Sequence, residues 1–252
     1  MPSSRICVGL LGMALVAGCA TQNTSLHKNL SQHSERPLPR RILLAQPDIH
    51  VHEISAGEVV EKVDEWSDQA SNEAAKSVEA IARSTRLFDA VQPAQLSDAQ
   101  RATLEQYSAL YILVAGSANL ARNSPYEAWQ KRGADFDYTL GPGMTDLAES
   151  AKLDAVVFVV GTDYISSSSR KAAMAVGVAL GLLTGRYMGP ESKPAFLSAG
   201  VVDMHTGELL WYSTEVRGGG DNLRDAAVVR SLVDDLFKTY PGAAKTADAN
   251  KK

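Results

Sequence analysis

An eight-residue run from Leu153 to Val160 limits the possible folds of this chain more than any other segment. Every side chain in the run except that of Asp154 is apolar. A strand that is apolar on both faces needs helices on both sides, as the central strands of α/β proteins have. The run therefore predicts a central strand in a sheet that is covered by helices.

Further strands are predicted on both sides of this run. Apolar or alternating stretches indicate strands over 42–45, 49–54, 87–91, 195–204 and 209–214. The last two are joined by His205-Thr206-Gly207-Glu208, which is typical of a hairpin turn.

Helices are predicted from apolar side chains that recur every three or four residues. Ser55 and Glu58 form a capping-box pattern before a long stripe that reaches Ile81, and Ser97 and Gln100 form a second one before a helix from 98 to 116 or beyond. A short helix is expected over 144–152, residues 122–143 look like a loop, and a final helix capped by Asp221 or Asn222 ends near Pro241-Gly242. The order of these elements predicts an α/β (α+β) sandwich with one mixed β-sheet.

The first residues have the pattern of an export signal. Arg5 is followed by an apolar run of about twelve residues, from Ile6 to Ala17, which is too short to span a bilayer. The run ends in Leu15-Val16-Ala17-Gly18-Cys19, which resembles the lipobox of bacterial lipoproteins. An ordinary cleaved signal with a chance cysteine is the alternative.

The lipobox resemblance implies that residues 1–18 are a signal peptide and that Cys19 becomes the mature N-terminus. Cys19 would then carry a diacylglycerol and a fatty acid such as palmitate. Ala20, rather than Asp, resembles the enterobacterial signal for the outer membrane. The chain has 2 cysteines, and Cys7 lies in the removed segment, so the mature protein would have neither a disulfide nor a free thiol.

The mature chain divides by composition. Residues 19–41 contain the lipidated cysteine and a polar stretch that we expect to be a disordered tether, which would hold the domain away from the bilayer. Residues 42–241 form a single predicted periplasmic domain, and 242–252 a disordered tail.

Composition narrows the class of protein. Apolar residues make up 45% of the chain and charged residues 21%, which excludes a mostly disordered chain, a collagen-like fibre and a multi-span membrane protein. The formal net charge is −4, so we expect no nucleic-acid partner.

Two segments together resemble a known superfamily. They are Lys152–Val159 and Leu197–Trp211, which contains the Thr206-Gly207-Glu208 turn. The pair is similar to bacterial outer-membrane lipoproteins that include the curli-secretion lipoproteins, the activators of penicillin-binding proteins and a group of lipoproteins noted as neisserial vaccine candidates. The resemblance implies a periplasmic α/β fold similar to an anticodon-binding domain.

No pattern in the chain points to catalysis, a cofactor or a metal. The Gly-x-Ser-x-Gly elbow and the phosphate loop are missing from the sequence. His50 and His52 would share one strand face as half of a metal site, but no third ligand is evident. Asp163 and Glu208 are possible paired carboxylates, although nothing in the sequence places them together. The Ser166–Ser169 run is interpreted as a loop or a strand end. The Gly218–Gly220 run is interpreted as a turn.

The stretch from Ala172 to Thr184 is the most unusual part of the body. It contains only apolar or small residues, and Gly177, Gly181 and Gly185 recur every fourth position as a possible contact face. As a helix it would be about 20 Å long, too short to span a bilayer of ~30 Å. A helix packed on the monomer, a contact with a partner or a second copy, and membrane insertion, as in the hairpins of curli-type pores, remain open.

These observations predict a non-enzymatic outer-membrane lipoprotein that faces the periplasm and binds envelope proteins or copies of itself. Its assembly would serve secretion or cell-wall synthesis. An oligomeric secretion-pore subunit and an envelope hydrolase are the alternatives.

Overall fold

The computed structural model describes residues 21–32, 37–91, 96–186, 189–191, 193–218 and 221–243. Cys19 and the rest of the lipobox lie outside this part of the chain, so the anchor stays a prediction. The described residues form one mixed sheet with helices on both faces, which confirms the predicted fold class.

In the described part of the chain, eight strands make up the sheet. They are β1 (Thr21–Leu26), β2 (Arg41–Leu44), β3 (Asp48–Ile54), β4 (Val60–Lys62), β5 (Asp89–Val91), β6 (Ala155–Ser166), β7 (Ala195–Asp203) and β8 (Leu209–Arg217). Their order is β1-β8-β7-β6-β2-β5, and β3 also lies beside β6, with β4 outside it.

The helices cover both faces of the sheet. They are α1 (Lys28–Gln32), α2 (Asp64–Thr85), α3 (Asp98–Asn123), α4 (Glu127–Asp135), α5 (Thr145–Ala151), α6 (Ser168–Thr184) and α7 (Ala226–Lys238). The reciprocal capping box of Ser97 and Gln100 at the start of α3 is present as predicted. Asp225 caps α7, in place of the predicted Asp221 or Asn222.

β6 is the central strand, and its side chains divide between two cores. Ala155, Val157 and Val159 pack with residues of α2 and α7. Val156, Phe158 and Val160 face the opposite way and pack with α3 and α5. Alternate residues of a strand point to opposite faces, so a run that is apolar throughout serves both cores. This confirms the interpretation of Leu153–Val160.

β6 also organises the strands on one side of the sheet. Its first residues pair in parallel with β2, and its later residues, from Val160 onward, pair in parallel with β3. The chain leaves the sheet between these two strands, near Pro47. β2 and β3 are therefore paired one after the other along the same edge of β6.

β7 and β8 form the predicted antiparallel hairpin. In its turn, an oxygen of the Asp203 carboxylate accepts the backbone N–H groups of His205 and Thr206, each at 2.9 Å. Gly207 has a φ of +74°, and a Cβ there would lie 2.1 Å from the carbonyl oxygen of Gly141. The turn therefore requires glycine at this position.

The predicted helix start at Ser55 is wrong. Ser55–Val59 form the turn between β3 and β4, where the N–H of Ser55 donates to the carbonyl of Val59 at 3.0 Å. α2 begins only at Asp64. Glu58 does not cap a helix, because its carboxylate pairs with Arg170 on a distant segment.

The structure also differs from the expected disordered tether. β1 pairs with β8 along its whole length, from Thr21 opposite Val216 to Leu26 opposite Trp211. His27 follows as a buried residue, and its N–H donates to the carbonyl of Leu210 at 2.9 Å. An edge strand is held by backbone hydrogen bonds, which require no apolar pattern, so this polar segment gave no signal. The ordered body therefore begins before residue 42.

A smaller difference lies in the segment expected to be a loop. Part of residues 122–143 forms α4. Gly133 of α4 allows close packing on the end of α3, since a Cβ there would lie 3.0 Å from backbone atoms of Arg122.

Candidate interaction surfaces

The candidate sites among the described residues are exposed surfaces that could contact a partner. Among them, no group of three or more His, Cys, Asp or Glu side chains is placed to hold a metal ion. None of the helices described is both long and apolar enough to cross a membrane.

The two ends of the sheet carry different features. Across neighbouring strands, Thr21 lies opposite Val216, Val216 opposite Phe196, and Phe196 opposite Thr162. β1 therefore begins at the end of the sheet where β6 finishes, and α6 follows directly there. We call this the α6 end, and the opposite end, which carries the His205–Gly207 turn, the turn end.

α6 starts and stops at clear local signals. The Ser167 side chain accepts the N–H of Arg170 at 3.2 Å, so the serine run supplies a helix cap. Gly185 ends the helix with a φ of +73°, and its N–H donates to the carbonyl of Gly181 at 2.8 Å.

The base of α6 is attached through Arg170. This side chain is 3% exposed; its guanidinium pairs with Glu58 in the β3–β4 turn and donates to the carbonyl of Glu191 at 3.0 Å. Ser166 donates to the sulfur of Met174 at 3.8 Å, one turn further along. The first two turns of α6 are therefore fixed to the sheet.

The rest of α6 presents apolar side chains to solvent. Leu182 is 84% exposed and Leu183 82% exposed. Val176, Val178 and Leu180 are exposed as well. Contiguous exposed apolar surface of this kind marks an interaction site, because leaving it in water costs free energy.

The three predicted contact glycines occupy different environments. Gly177 is buried, Gly181 is half-buried, and Gly185 is the exposed helix terminus. The first two thus lie on the covered side of α6, while the leucines and valines around them are open. The role of these glycines as a contact face stays a prediction.

A second exposed apolar surface lies on α3 and α4, and the sequence analysis missed it. We call Leu113, Leu120, Tyr126 and Trp129 the α3–α4 patch. Leu120 and Tyr126 are each 71% exposed. Leu113 and Leu120 are seven residues apart and so share a helix face. The available signal was that Leu113 and Leu120 lie outside the apolar stripe that predicted the helix.

A cavity of about 220 Å³ lies at the base of α6. Its lining includes Asp163, Lys171, Lys193 and Arg224. The Asp163 carboxylate accepts the N–H groups of Tyr164 at 2.7 Å and Leu223 at 2.8 Å. Burial raises the pKa of Asp163, and these two hydrogen bonds and the charge of Arg224 oppose the rise.

The structure separates the carboxylates that were considered as a pair. Asp163 lies towards the α6 end, whereas Glu208 lies beside the hairpin turn, where it accepts the side-chain amide of Asn29 at 2.7 Å. The idea that they are paired is therefore wrong, because the whole length of the hairpin lies between them.

The two candidate histidines share a strand face but bind different neighbours. Nε2 of His50 lies 2.9 Å from an oxygen of Asp48. The His52 ring stacks on Tyr164, with 5.0 Å between ring centroids.

Gly218 directly follows β8, and the other two glycines of its run lie outside the described residues.

Comparisons with known proteins find little. No family model and no curated protein matches the chain. Among solved structures, the PelC dodecamer from Paraburkholderia phytofirmans in space group P6 aligns over 87% of this chain and 95% of that chain, with 12% identity and a TM-score of 0.37. A variant of that dodecamer in space group C2 aligns over the same shares, with 13% identity and a TM-score of 0.36. These values assign the chain to no family.

Proposed function

We propose that the protein is a non-enzymatic outer-membrane lipoprotein that faces the periplasm and binds partner proteins in an envelope assembly. The assembly would serve secretion or cell-wall synthesis. The lipobox at Leu15–Cys19 supports the anchor, and the α3–α4 patch is the observation that carries the binding role.

The anchor would be the acyl chains on Cys19. Each buried CH₂ group contributes about 0.8 kcal/mol to membrane binding, so two or more chains hold a protein stably. Changing Cys19→Ser is expected to lower the share of the protein that stays in the membrane fraction. Mass spectrometry of the N-terminal peptide checks the modification itself, and an unmodified Cys19 contradicts the proposal.

The partner would cover the α3–α4 patch. Tyr and Trp are enriched among residues that dominate protein–protein binding energies, and this patch exposes one of each together with two leucines. An exposed apolar surface on an ordered helix pair presents a preformed site, which lowers the entropic cost of binding.

Crosslinking in living cells tests this surface. A photoreactive residue at position 120 or 129 is expected to capture one envelope protein in a product of defined mass. Position 72 on α2 is the matched control, since Asn72 is also exposed but lies on the other side of the sheet. Trp129→Ala is expected to reduce the capture from position 120.

Two results would contradict the proposal. The same products from positions 72 and 129 would show that the patch has no specific partner, as would no product from either patch position. A product of twice the mass of the chain would instead favour the oligomeric pore subunit.

A further inference from the structure

We propose that α6 lies in the lipid–water interface of the membrane that carries the acyl chains of Cys19. Basic side chains at its base would contact anionic phospholipid headgroups. This inference rests on the proposed lipid anchor and adds a second membrane contact, which places the α6 end of the sheet against the bilayer.

The register of the sheet supplies the first argument. Cys19 precedes Thr21 by two positions, so the acylated residue lies within about 7 Å of the start of β1. Thr21, Val216, Phe196 and Thr162 lie side by side at the α6 end. An anchor with so little chain before the first strand holds that end of the sheet close to the bilayer.

The chemistry of α6 supplies the second argument. From Ala172 to Leu183 it contains only apolar residues and glycine, and most of these side chains are exposed. This part of the helix is about 18 Å long, so it is too short to cross a hydrocarbon core of about 30 Å. It is long enough to lie in the plane of the membrane, with its apolar side buried about 5–10 Å deep.

A neighbouring turn adds apolar surface at the same end. Val59 and Val60, in and after the β3–β4 turn, are 56% and 43% exposed. Arg170 links this turn to the base of α6 through Glu58. The exposed valines and the exposed leucines of α6 are therefore parts of one end of the molecule.

The charges around α6 suit anionic headgroups. Lys171 and Arg186 are exposed near its two ends, and Lys193 and Arg224 line the cavity at its base. Three of the acidic groups nearby have partners of their own. Asp163 accepts two backbone N–H groups, Glu58 pairs with Arg170, and Asp221 lies 3.7 Å from Arg217.

Single-cysteine labelling of the lipidated protein tests the contact. The chain has 2 cysteines, one in the predicted signal peptide and one at the predicted acylation site, so Leu182→Cys would carry the only free thiol. In vesicles of phosphatidylethanolamine and phosphatidylglycerol, an environment-sensitive dye at position 182 is expected to shift to the blue and to be quenched by brominated acyl chains.

His205→Cys is the matched control, because His205 is exposed in the hairpin turn at the turn end. A dye there is expected to report water in every vesicle. A dye at position 182 that also reports water overturns the inference. A blue shift at 182 without quenching by brominated lipid also overturns it, since a second copy of the chain would then cover α6.

A second measurement separates this inference from the anchor. The unlipidated Cys19→Ser protein is expected to sediment with the same vesicles more strongly than with phosphatidylcholine vesicles. Changing Leu182→Glu and Leu183→Glu together is expected to lower that binding by at least about tenfold, because two leucines no longer enter the interface. Unchanged circular dichroism confirms that the variant is folded.

The two proposals can therefore fail separately. An unmodified Cys19 with vesicle binding through α6 intact overturns the lipoprotein proposal alone. An acylated Cys19 with equal vesicle binding by the unlipidated protein and its double-glutamate variant overturns the role of α6 alone.

Discussion

Asp163 shows how one residue combines a structural role with an electrostatic cost. Its buried carboxylate joins β6 to the segment before α7 by accepting the N–H of Leu223, a residue that is itself fully buried. Burial of the carboxylate raises its pKa, and two backbone N–H groups oppose the rise. The hydrogen bonds of the carboxylate stabilise the fold, whereas burial of its negative charge destabilises it.

The pH dependence of stability follows from that pKa. A carboxyl group whose folded pKa is raised contributes stability below its unfolded pKa, near 4, and loses it as the pH rises through the folded pKa. Asp163→Asn is expected to remove this decline, so its free energy of unfolding rises relative to the wild type as the pH increases above about 4. Urea unfolding at a series of pH values measures the difference.

Asp163→Ala is the control, because alanine removes the acceptor as well as the charge. It leaves the N–H of Leu223 without this partner and is expected to cost about 1–3 kcal/mol relative to the Asn variant at every pH. A constant difference between the wild type and the Asn variant across the pH series would contradict the assignment.

At the scale of elements, β1 contributes more than its composition suggests. Besides its pairing with β8, Thr24 contacts Ser213 through side-chain oxygens 3.2 Å apart, and Arg122 of α3 donates to the carbonyl of Thr24 at 2.7 Å. Beyond β1, Lys28 pairs with Asp137 at 2.8 Å. These contacts join the first described residues to both the sheet and a helix layer.

Removal of β1 is expected to destabilise the domain. A protein that begins at Lys28 would expose the edge of β8, and its melting temperature is expected to fall by about 5–10 °C compared with a protein that begins at Ala20. Hydrogen exchange of β8 is expected to rise at the same time. Equal melting temperatures and equal protection of β8 would show that β1 adds nothing to stability.

The predicted elements succeeded where a local signal decided the structure. The capping box of Ser97 and Gln100 forms because both side chains reach the first turn of α3. The same type of pattern at Ser55 and Glu58 failed, because pairing of β3 with β4 and the charge of Arg170 compete for those residues. A local pattern thus predicts an element only when no distant segment makes a more favourable interaction with the same residues.

At the scale of the whole molecule, one sheet joins two cores. Leu236 of α7 belongs to one core and Leu147 of α5 to the other. Alternate side chains of β6 pack into the two cores in turn, so this strand belongs to both. A loss of packing on one face therefore weakens the strand on which the other face depends.

We expect the domain to unfold in one cooperative transition. Leu236→Ala and Leu147→Ala are each expected to lower the free energy of unfolding by about 2–5 kcal/mol and to move the whole transition. Near- and far-ultraviolet circular dichroism would then give the same midpoint in each variant. A transition that splits in two, with only one part moved, would show that the cores unfold independently.

The amino-acid pattern alone determined the central strand, the hairpin turn and the periodic helices α3 and α7. In each case the deciding interaction is local, such as a cap, a glycine with positive φ or an apolar run that must be buried. Tertiary structure decided that a polar segment becomes β1, because only β8 supplies its hydrogen-bond partners. It also decided which apolar side chains of α3 and α6 stay exposed, since burial depends on whether another element covers a helix face.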